Sequence, residues 1–141
     1  MPEWEIFDFG MLDYAHYLRD RGLLAGPIYA NLLLGSLGSL AATPLNLALL
    51  VERLPAGATW AAAGIGRYQF QINRLAIAMG GGVRVGLEDN IWFDEARTDP
   101  ATNPRLVERL VAIARAMGRE PATPDQVRRH LGIPARGSAT A

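Results

Sequence analysis

A chain of 141 residues can form one modest hydrophobic core and is too short for two full domains. Its fourteen Lys and Arg residues equal its fourteen Asp and Glu residues, so charge favours neither nucleic acid nor an acidic membrane as a partner. Cysteine is absent, which excludes disulfides, thiolate zinc sites and cysteine nucleophiles in this chain and fits a reducing cytoplasm.

The first residues, 1–5, are acidic, whereas a secretory signal needs positive charge. The longest apolar stretch, residues 28–51, is interrupted by glycine, proline and polar residues. No membrane span is therefore predicted, and we expect a cytoplasmic protein.

The first half of the chain predicts two strand–helix units. Residues 5–10 are expected to form a short strand, followed by an amphipathic helix over residues 11–24. Residues 27–34 predict the second strand. Thr43 followed by Pro44 is a capping residue before a proline at the first helical position, and it begins the second helix.

The second half predicts two more units and one extra helix. Residues 59–65 and 83–88 are expected to be strands, and residues 69–79 a helix between them. Asn103 is expected to cap a long helix that ends at Gly118. A last short helix is predicted from Thr123 to Leu131, where Thr123 and Gln126 have capping-box spacing, and residues 135–141 are expected to form a disordered tail.

Four alternating strands and helices predict an α/β fold with a parallel sheet and right-handed crossovers. Units of roughly 30 residues can build either an open sheet or the C-terminal half of a (β/α)8 TIM barrel. A half-barrel, formed here by residues 1–134, would expose two strand edges and one flank of its core.

The fourth predicted strand carries the residues of greatest chemical interest. In an extended strand Arg84, Gly86 and Glu88 would share one face, and the apolar residues between them the other. Asp89 follows at the C-terminal end, where α/β folds place their chemistry. An ordinary strand with an ion pair between Arg84 and Glu88 fits the same spacing, so the pattern indicates a site without naming its reaction.

Residues 81–90 resemble the β-keto acid cleavage enzyme family, which includes enzymes that cleave 3-keto-5-aminohexanoate. Further segments resemble the same family in the same order, so the resemblance covers nearly the whole chain. These segments are residues 2–10, residues 64–67 with Gln69, Asn103 with Leu106 and Val107, residues 118–120, and residues 122–124.

The resemblance implies a (β/α)8 barrel about twice this length, usually a homo-oligomer. It implies a divalent metal, normally Zn²⁺, held by two histidines of a His-x-His motif and one glutamate. The implied reaction joins a β-keto acid and acetyl-CoA to give acetoacetate and a new CoA thioester. By resemblance Glu88 is the metal ligand, and Arg84 and Asp89 are catalytic residues.

The chain departs from the family in its histidines. His16 and His130 both lie in predicted helices, and there is no His-x-His motif. Because catalytic zinc needs about three protein ligands, Glu88 alone is insufficient. We therefore expect the chain to contain strands five to eight of the barrel and to be inactive without a complementing N-terminal half. The alternative is a non-catalytic βα fragment, or a half-barrel that self-associates.

A short glycine-containing loop, residues 64–67, follows the third predicted strand. Loops after the last strands of a barrel often bind phosphate, and CoA carries several phosphates. A simple tight turn explains the same residues, so both interpretations stay open.

Overall fold

A computed structural model describes residues 2–134; Met1 and residues 135–141, the predicted tail, lie outside the described residues. A 3-10 turn, Gly66–Tyr68, precedes the third helix. None of the described helices is long and apolar enough to cross a membrane. The elements are β1 (Glu3–Ile6), α1 (Phe9–Asp20), β2 (Tyr29–Leu34), α2 (Pro44–Arg53), β3 (Thr59–Gly64), α3 (Gln69–Ala78), β4 (Gly82–Val83), α4 (Asn103–Ala116) and α5 (Pro124–His130).

The four strands form one parallel sheet in the order β1-β2-β3-β4. This confirms the predicted α/β fold of four strand–helix units followed by one extra helix. Each strand lies beside its neighbour in sequence, whereas doubly wound sheets reverse their strand order at a switch point. The sheet therefore progresses in a single direction, as the strands of a barrel also do.

The hydrophobic core lies between one face of the sheet and the first three helices. Leu12 of α1, Leu50 of α2 and Ile72 of α3 are fully buried there, in one cluster with strand residues. Burying a side chain of this size contributes about 1.5–3 kcal/mol. The strand residues of this cluster are Trp4, Ile6, Ala30, Leu32, Leu34 and Ala62.

The opposite face of the sheet is polar near its N-terminal end. Alternation along β1 places Glu3 and Glu5 on this face. The strand register sets Glu3 beside Tyr29 and Glu5 beside Asn31 of β2. Asn31 is only 3% exposed and donates a hydrogen bond from Nδ2 to Glu3 Oε1. Charged and amide groups thus line the face that the helices leave free.

The limits predicted for the first unit are wrong. β1 ends at Ile6, because Asp8 caps α1: its Oδ1 accepts a hydrogen bond from the Met11 N–H at 2.8 Å. The apolar pattern predicts a strand to residue 10, but the capping carboxylate of Asp8 begins the helix before that point. At the other end α1 stops at Asp20, because the chain turns at Gly22 with a positive φ of 72°.

The largest correction concerns the fourth strand. It was predicted over residues 83–88, but β4 contains only Gly82 and Val83. The ladder closes with the Arg84 N–H donating to Ala62 O at 3.1 Å. The chain then turns, because the N–H groups of Asp89 and Asn90 both donate to Gly86 O.

The helix capping predictions met mixed outcomes. Thr43 and Thr123 cap α2 and α5 as predicted, and α5 has the full capping box. α4 is capped by Thr102, so the prediction of Asn103 is wrong by one residue. Asn103 Oδ1 instead accepts a hydrogen bond from the Leu87 N–H at 2.9 Å, which ties the start of α4 to the turn after β4.

Candidate functional site

Arg84 is the centre of a cluster of three carboxylates. Its Nη1 lies 2.5 Å from Glu5 Oε1, and its Nη2 lies 3.1 Å from Glu88 Oε2. Its Nε lies 3.5 Å from Asp89 Oδ2. The structure therefore brings together all three residues of the predicted site, Arg84, Glu88 and Asp89, and adds Glu5.

The contact between Glu5 and Arg84 joins the two edges of the sheet. Glu5 belongs to β1, and Arg84 directly follows β4. In a flat sheet these strands would be three spacings, or roughly 14 Å, apart. Because strand side chains stand roughly perpendicular to a sheet, a 2.5 Å contact between these two favours a sheet that curls with this face concave. The curl also explains why Asn31 is buried on the face that no helix covers.

Burial separates Asp89 from the other two carboxylates. Its side chain is 4% exposed, whereas that of Glu88 is 83% exposed. Burial raises the pKa of the Asp89 carboxyl above its ordinary value; Arg84 opposes this, and the negative charges of Glu88 and Glu5 add to it. Asp89 thus holds its proton to a higher pH than a solvated aspartate does.

The guanidinium of Arg84 shows the complementary effect. Burial lowers the pKa of Arg84, but the attraction of Asp89, Glu5 and Glu88 outweighs burial and raises that pKa above its ordinary value. Arg84 therefore remains a fixed positive charge. A single guanidinium facing three carboxylates leaves the cluster with surplus negative charge.

The predicted placement of Glu88 on an inward strand face is wrong. Its segment is a turn, so strand alternation does not apply beyond Arg84, and the Glu88 carboxylate is largely in solvent. The proximity of Arg84 and Glu88 nevertheless holds, because the turn returns the side chain to the guanidinium. Glu88 is thereby open to a ligand from outside the chain.

The residues of this chain do not by themselves fit a catalytic zinc site. Within residues 2–134 no group of three His, Cys, Asp or Glu side chains is arranged to hold a metal. His16 is hydrogen-bonded to Arg53 O at 2.8 Å, and His130 to Thr59 Oγ1 at 2.7 Å. Each histidine therefore bonds its helix to another part of the chain, and neither belongs to a three-donor group with Glu88.

Three residues near the site were absent from the predicted set. Glu5 is 79 positions from Arg84, so no local spacing reveals their contact. Gln69 and Asn73 of α3 are fully buried and donate hydrogen bonds to the backbone around Arg84. Two signals in the sequence point to them: Gln69 belongs to a segment that resembles the family, and the two amides lie four positions apart among the buried residues of a helix.

The glycine-containing loop after β3 forms a tight turn. A Cβ on Gly64 would lie 2.3 Å from Tyr68 O, so only glycine allows the start of α3 to approach so closely. Gly66 has φ +60° and donates its N–H to Asp89 O at 2.6 Å. Arg67 lies over the Tyr68 ring. The turn interpretation agrees with this geometry, and phosphate binding stays a prediction.

A cavity of about 710 Å³ opens beside β4. Glu3, Tyr29 and Asn31 of the concave sheet face form one side, and Val107 and Val111 of α4 another. Since the Arg84 N–H bonds to β3, the N–H of the preceding residue points the other way. No strand within residues 2–134 pairs with that side of β4, so the cavity borders an unpaired strand edge.

Comparison with known proteins identifies relatives along nearly the whole chain. A family profile described as beta-keto acid cleavage enzyme matches residues 1–133. A 3-keto-5-aminohexanoate cleavage enzyme of Fusobacterium nucleatum is 44% identical over 94% of this chain and 47% of its own length. A 3-dehydrocarnitine:acetyl-CoA trimethylamine transferase of Rhizobium meliloti is 37% identical over 96% of this chain and 44% of its own length.

A third relative is a 3-oxoadipate:acetyl-CoA acetyltransferase of Cupriavidus necator, with 35% identity over 94% of this chain and 48% of its own length. The chain thus spans about half the length of the curated relatives it matches.

Proposed function

Since the chain belongs to the β-keto acid cleavage enzyme family, we propose that it supplies half of an active site that converts a β-keto acid and acetyl-CoA into acetoacetate and a new CoA thioester. The names of the relatives, which include two acetyl-CoA transferases, support this reaction class. The observation that carries the proposal is the meeting of Arg84 with Glu5, Glu88 and Asp89 beyond the end of β4.

Asp89 is proposed to take a proton from the substrate. A carboxylate whose pKa is raised accepts a proton more readily than an ordinary one, because base strength follows pKa. Arg84 Nε, 3.5 Å from Asp89 Oδ2, orients this base and balances its charge.

Glu88 is proposed to be one ligand of a divalent metal, normally Zn²⁺. The surplus negative charge around Arg84 favours a cation, and the Glu88 carboxylate is accessible. Further ligands would come from outside residues 2–134, because within those residues no group of three His, Cys, Asp or Glu side chains is arranged to hold a metal. When bound, the metal would polarise the keto oxygen of the substrate.

The partner that supplies the rest of the site is proposed to be the N-terminal half of a (β/α)8 barrel. The one-directional strand order, the helices on one face and the curl of the sheet support this architecture. The free edge of β4 and the apolar side of α4 border the cavity where a further strand would pair.

The test is complementation. The chain is mixed with the segment of the Fusobacterium relative that it does not match and with Zn²⁺. Acetoacetate is then measured with acetyl-CoA and 3-keto-5-aminohexanoate, 3-oxoadipate or 3-dehydrocarnitine. We expect acetoacetate from the mixture and from neither part alone. Glu88→Gln should abolish the product, whereas Glu95→Gln, an exposed acid in the following loop, should leave it unchanged.

Absence of product with all three substrates would count against the proposal. So would full activity of Glu88→Gln, because a metal-ligand role predicts its loss.

A second candidate is a non-catalytic half-barrel that pairs with another copy of itself. The lack of a three-donor metal group among residues 2–134 favours it, as does the free edge of β4. Two copies would join β4 of one to β1 of the other and remove both edges. Analytical ultracentrifugation separates the candidates: a concentration-independent monomer contradicts self-association, and a stable dimer supports it.

A further inference from the structure

Two amide side chains of α3 hold the backbone from which Arg84 and Asp89 project. Asn73 Nδ2 donates to Ala62 O at 3.0 Å and to Arg84 O at 2.9 Å. Gln69 Nε2, one helical turn earlier, donates to Gly86 O at 2.8 Å. Both amide groups therefore bind main-chain oxygens of the segment that carries the site.

We propose that Gln69 and Asn73 are positioning residues, which fix the backbone of residues 84–86 so that the Arg84 guanidinium meets Glu5 and Asp89. Their importance for catalysis rests on the proposed function. Their effect on the backbone of residues 84–86 can be measured in this chain by itself.

Hydrogen bonds from the Gln69 and Asn73 side chains hold the backbone directly after the sheet ends. The last ladder bond of β4 is that of the Arg84 N–H to Ala62 O, and Asn73 bonds the same Ala62 oxygen and the Arg84 oxygen together. Gly86 O, held by Gln69, also accepts the N–H groups of Asp89 and Asn90. The departure of the chain from the sheet and the turn that brings Asp89 back are thus both tied to α3.

The position of α3 is itself fixed at that end. Gly64 at the end of β3 allows the Tyr68 carbonyl to approach within 2.3 Å of where a Cβ would stand. The main-chain nitrogen of Gln69, the first residue of α3, lies 2.9 Å from the same position. The side-chain amides of Gln69 and Asn73, called the clamp below, therefore tie residues 84–86 through α3 to β3. This strand is paired on both sides, with β2 and with β4.

Stability alone does not account for these two amides. Both residues are fully buried, and Gln69 Oε1 and Asn73 Oδ1 have no hydrogen-bond partner within the described part of the chain. A buried oxygen without a partner costs free energy, so a helix selected only for packing favours apolar side chains at both positions. The hydrogen bonds that the two side-chain nitrogens donate to residues 84–86 explain why amides occupy these positions despite that cost.

The test follows the Arg84 guanidinium by NMR in the 141-residue chain. Asn73→Leu and Gln69→Leu each remove the donors and keep a side chain of similar size. Asn46→Leu is the matched control, because Asn46 Nδ2 donates to a main-chain oxygen, that of Ala41, at 2.9 Å at the start of α2. The Arg105 signal, from a separate pair with Asp99, serves as the internal reference.

We expect the Arg84 Nε–Hε resonance to move and its solvent exchange to accelerate by about tenfold in both clamp variants, as for the loss of a buried hydrogen bond. Asn46→Leu should leave this resonance unchanged, and Arg105 should be constant throughout. Should Asn73→Leu fail to fold, Gln69→Leu, which loses a single bond, decides the question.

An Arg84 signal identical to that of the original chain in the folded variants would overturn the proposal. Loss of the fold in both clamp variants, with Asn46→Leu folded, would assign the amides to general stability and would overturn it equally.

A kinetic readout adds the link to catalysis. In an active complemented enzyme, Gln69→Leu should lower kcat by about 100-fold, the order of effect expected from a misplaced catalytic group, with KM for acetyl-CoA little changed. An equal fall in the Asn46→Leu enzyme would contradict this. If the original chain gives no product, the proposed function fails, while the NMR result on the clamp still stands or falls independently.

Discussion

Two Arg–Asp clusters within some twenty residues of each other behave in opposite ways. Around Arg84, burial raises the pKa of the Asp89 carboxyl. Around Arg105, a hydrogen bond from the guanidinium lowers the pKa of Asp99. Asp89 is 4% exposed, whereas Asp99 is 45% exposed. The same pair of residue types thus gives a carboxylate that is hard to ionise in one place and easy to ionise in the other.

The difference teaches that environment, not residue type, marks the candidate site. Arg105, in the first turn of α4, makes two short hydrogen bonds to Asp99, at 2.6 and 2.9 Å, and lies over the Phe93 ring, so the two partly exposed charges satisfy each other. Arg84 instead faces three carboxylates with one guanidinium, one of them buried. Only the second arrangement leaves charge to be used on a ligand.

The largest expected effect comes from removing Arg84. Arg84→Met leaves the buried Asp89 without its cation, so the free energy of unfolding at pH 7 should fall by about 1–3 kcal/mol. Arg105→Met, its counterpart in the exposed pair, should cost less. Urea unfolding measures both, and an equal loss in the two variants would remove the distinction between the clusters.

Asp89→Asn should change the stability of the fold in the opposite direction to most substitutions of charged residues. Because the pKa of Asp89 is raised in the folded chain, the folded state binds more protons than the unfolded state between the ordinary and the raised pKa. Its contribution to stability is full below the ordinary pKa and is lost as the pH rises through the raised one. Asp89→Asn should therefore stabilise the metal-free chain at neutral pH and be neutral in acid, as thermal melts across pH can show. A loss of stability at neutral pH contradicts the raised pKa.

Asp99→Asn should give the reverse pH profile with a smaller amplitude. The pKa of Asp99 is lowered by its hydrogen bond with Arg105, so its contribution is present above the ordinary pKa and is lost as the pH falls through the lowered one. The variant should be slightly less stable than the original chain at neutral pH and equal to it in strong acid. The same melts decide this, and a difference that persists in acid would point to packing instead of charge.

Salt should produce the smallest and most selective change. Raising the ionic strength from 0.1 to 1 M shortens the screening length from about 10 to about 3 Å, which weakens exposed pairs most. The stability difference caused by Asp99→Asn should shrink in 1 M salt, whereas that of Arg84→Met should largely persist. Equal screening of both would indicate that solvent reaches Asp89 as freely as Asp99.

The sequence predicts the order and type of the elements because their signals are local. Thr43 before Pro44 and the Thr123 capping box fix helix starts within four residues, and both are confirmed. The length of β4 has no such local signal. Gln69 and Asn73, which belong to α3, bind the backbone directly after β4, so no property of residues 83–88 reveals where the strand ends.

The contacts within the candidate site follow partly from the sequence and partly from the tertiary structure. Arg84, Glu88 and Asp89 are close together because they are close in sequence, and the structure confirms their contact. The role of Glu5 depends on the curl of the whole sheet, which brings β1 to the residue after β4. The burial of Asp89 depends on the same tertiary packing, so its raised pKa has no sequence signature.

The strictly sequential sheet also determines how the molecule can be divided. A break at Gly57, between α2 and β3, would interrupt the chain where only the β2–β3 ladder must reassemble, since β1–β2 and β3–β4 each stay within one piece. Because Gly57 has a positive φ and open space around its Cα, new termini fit there without strain. Split versions of the chain and chimaeras between relatives can therefore exchange pairs of βα units at this position, with the β2–β3 ladder as the one ladder formed between the pieces.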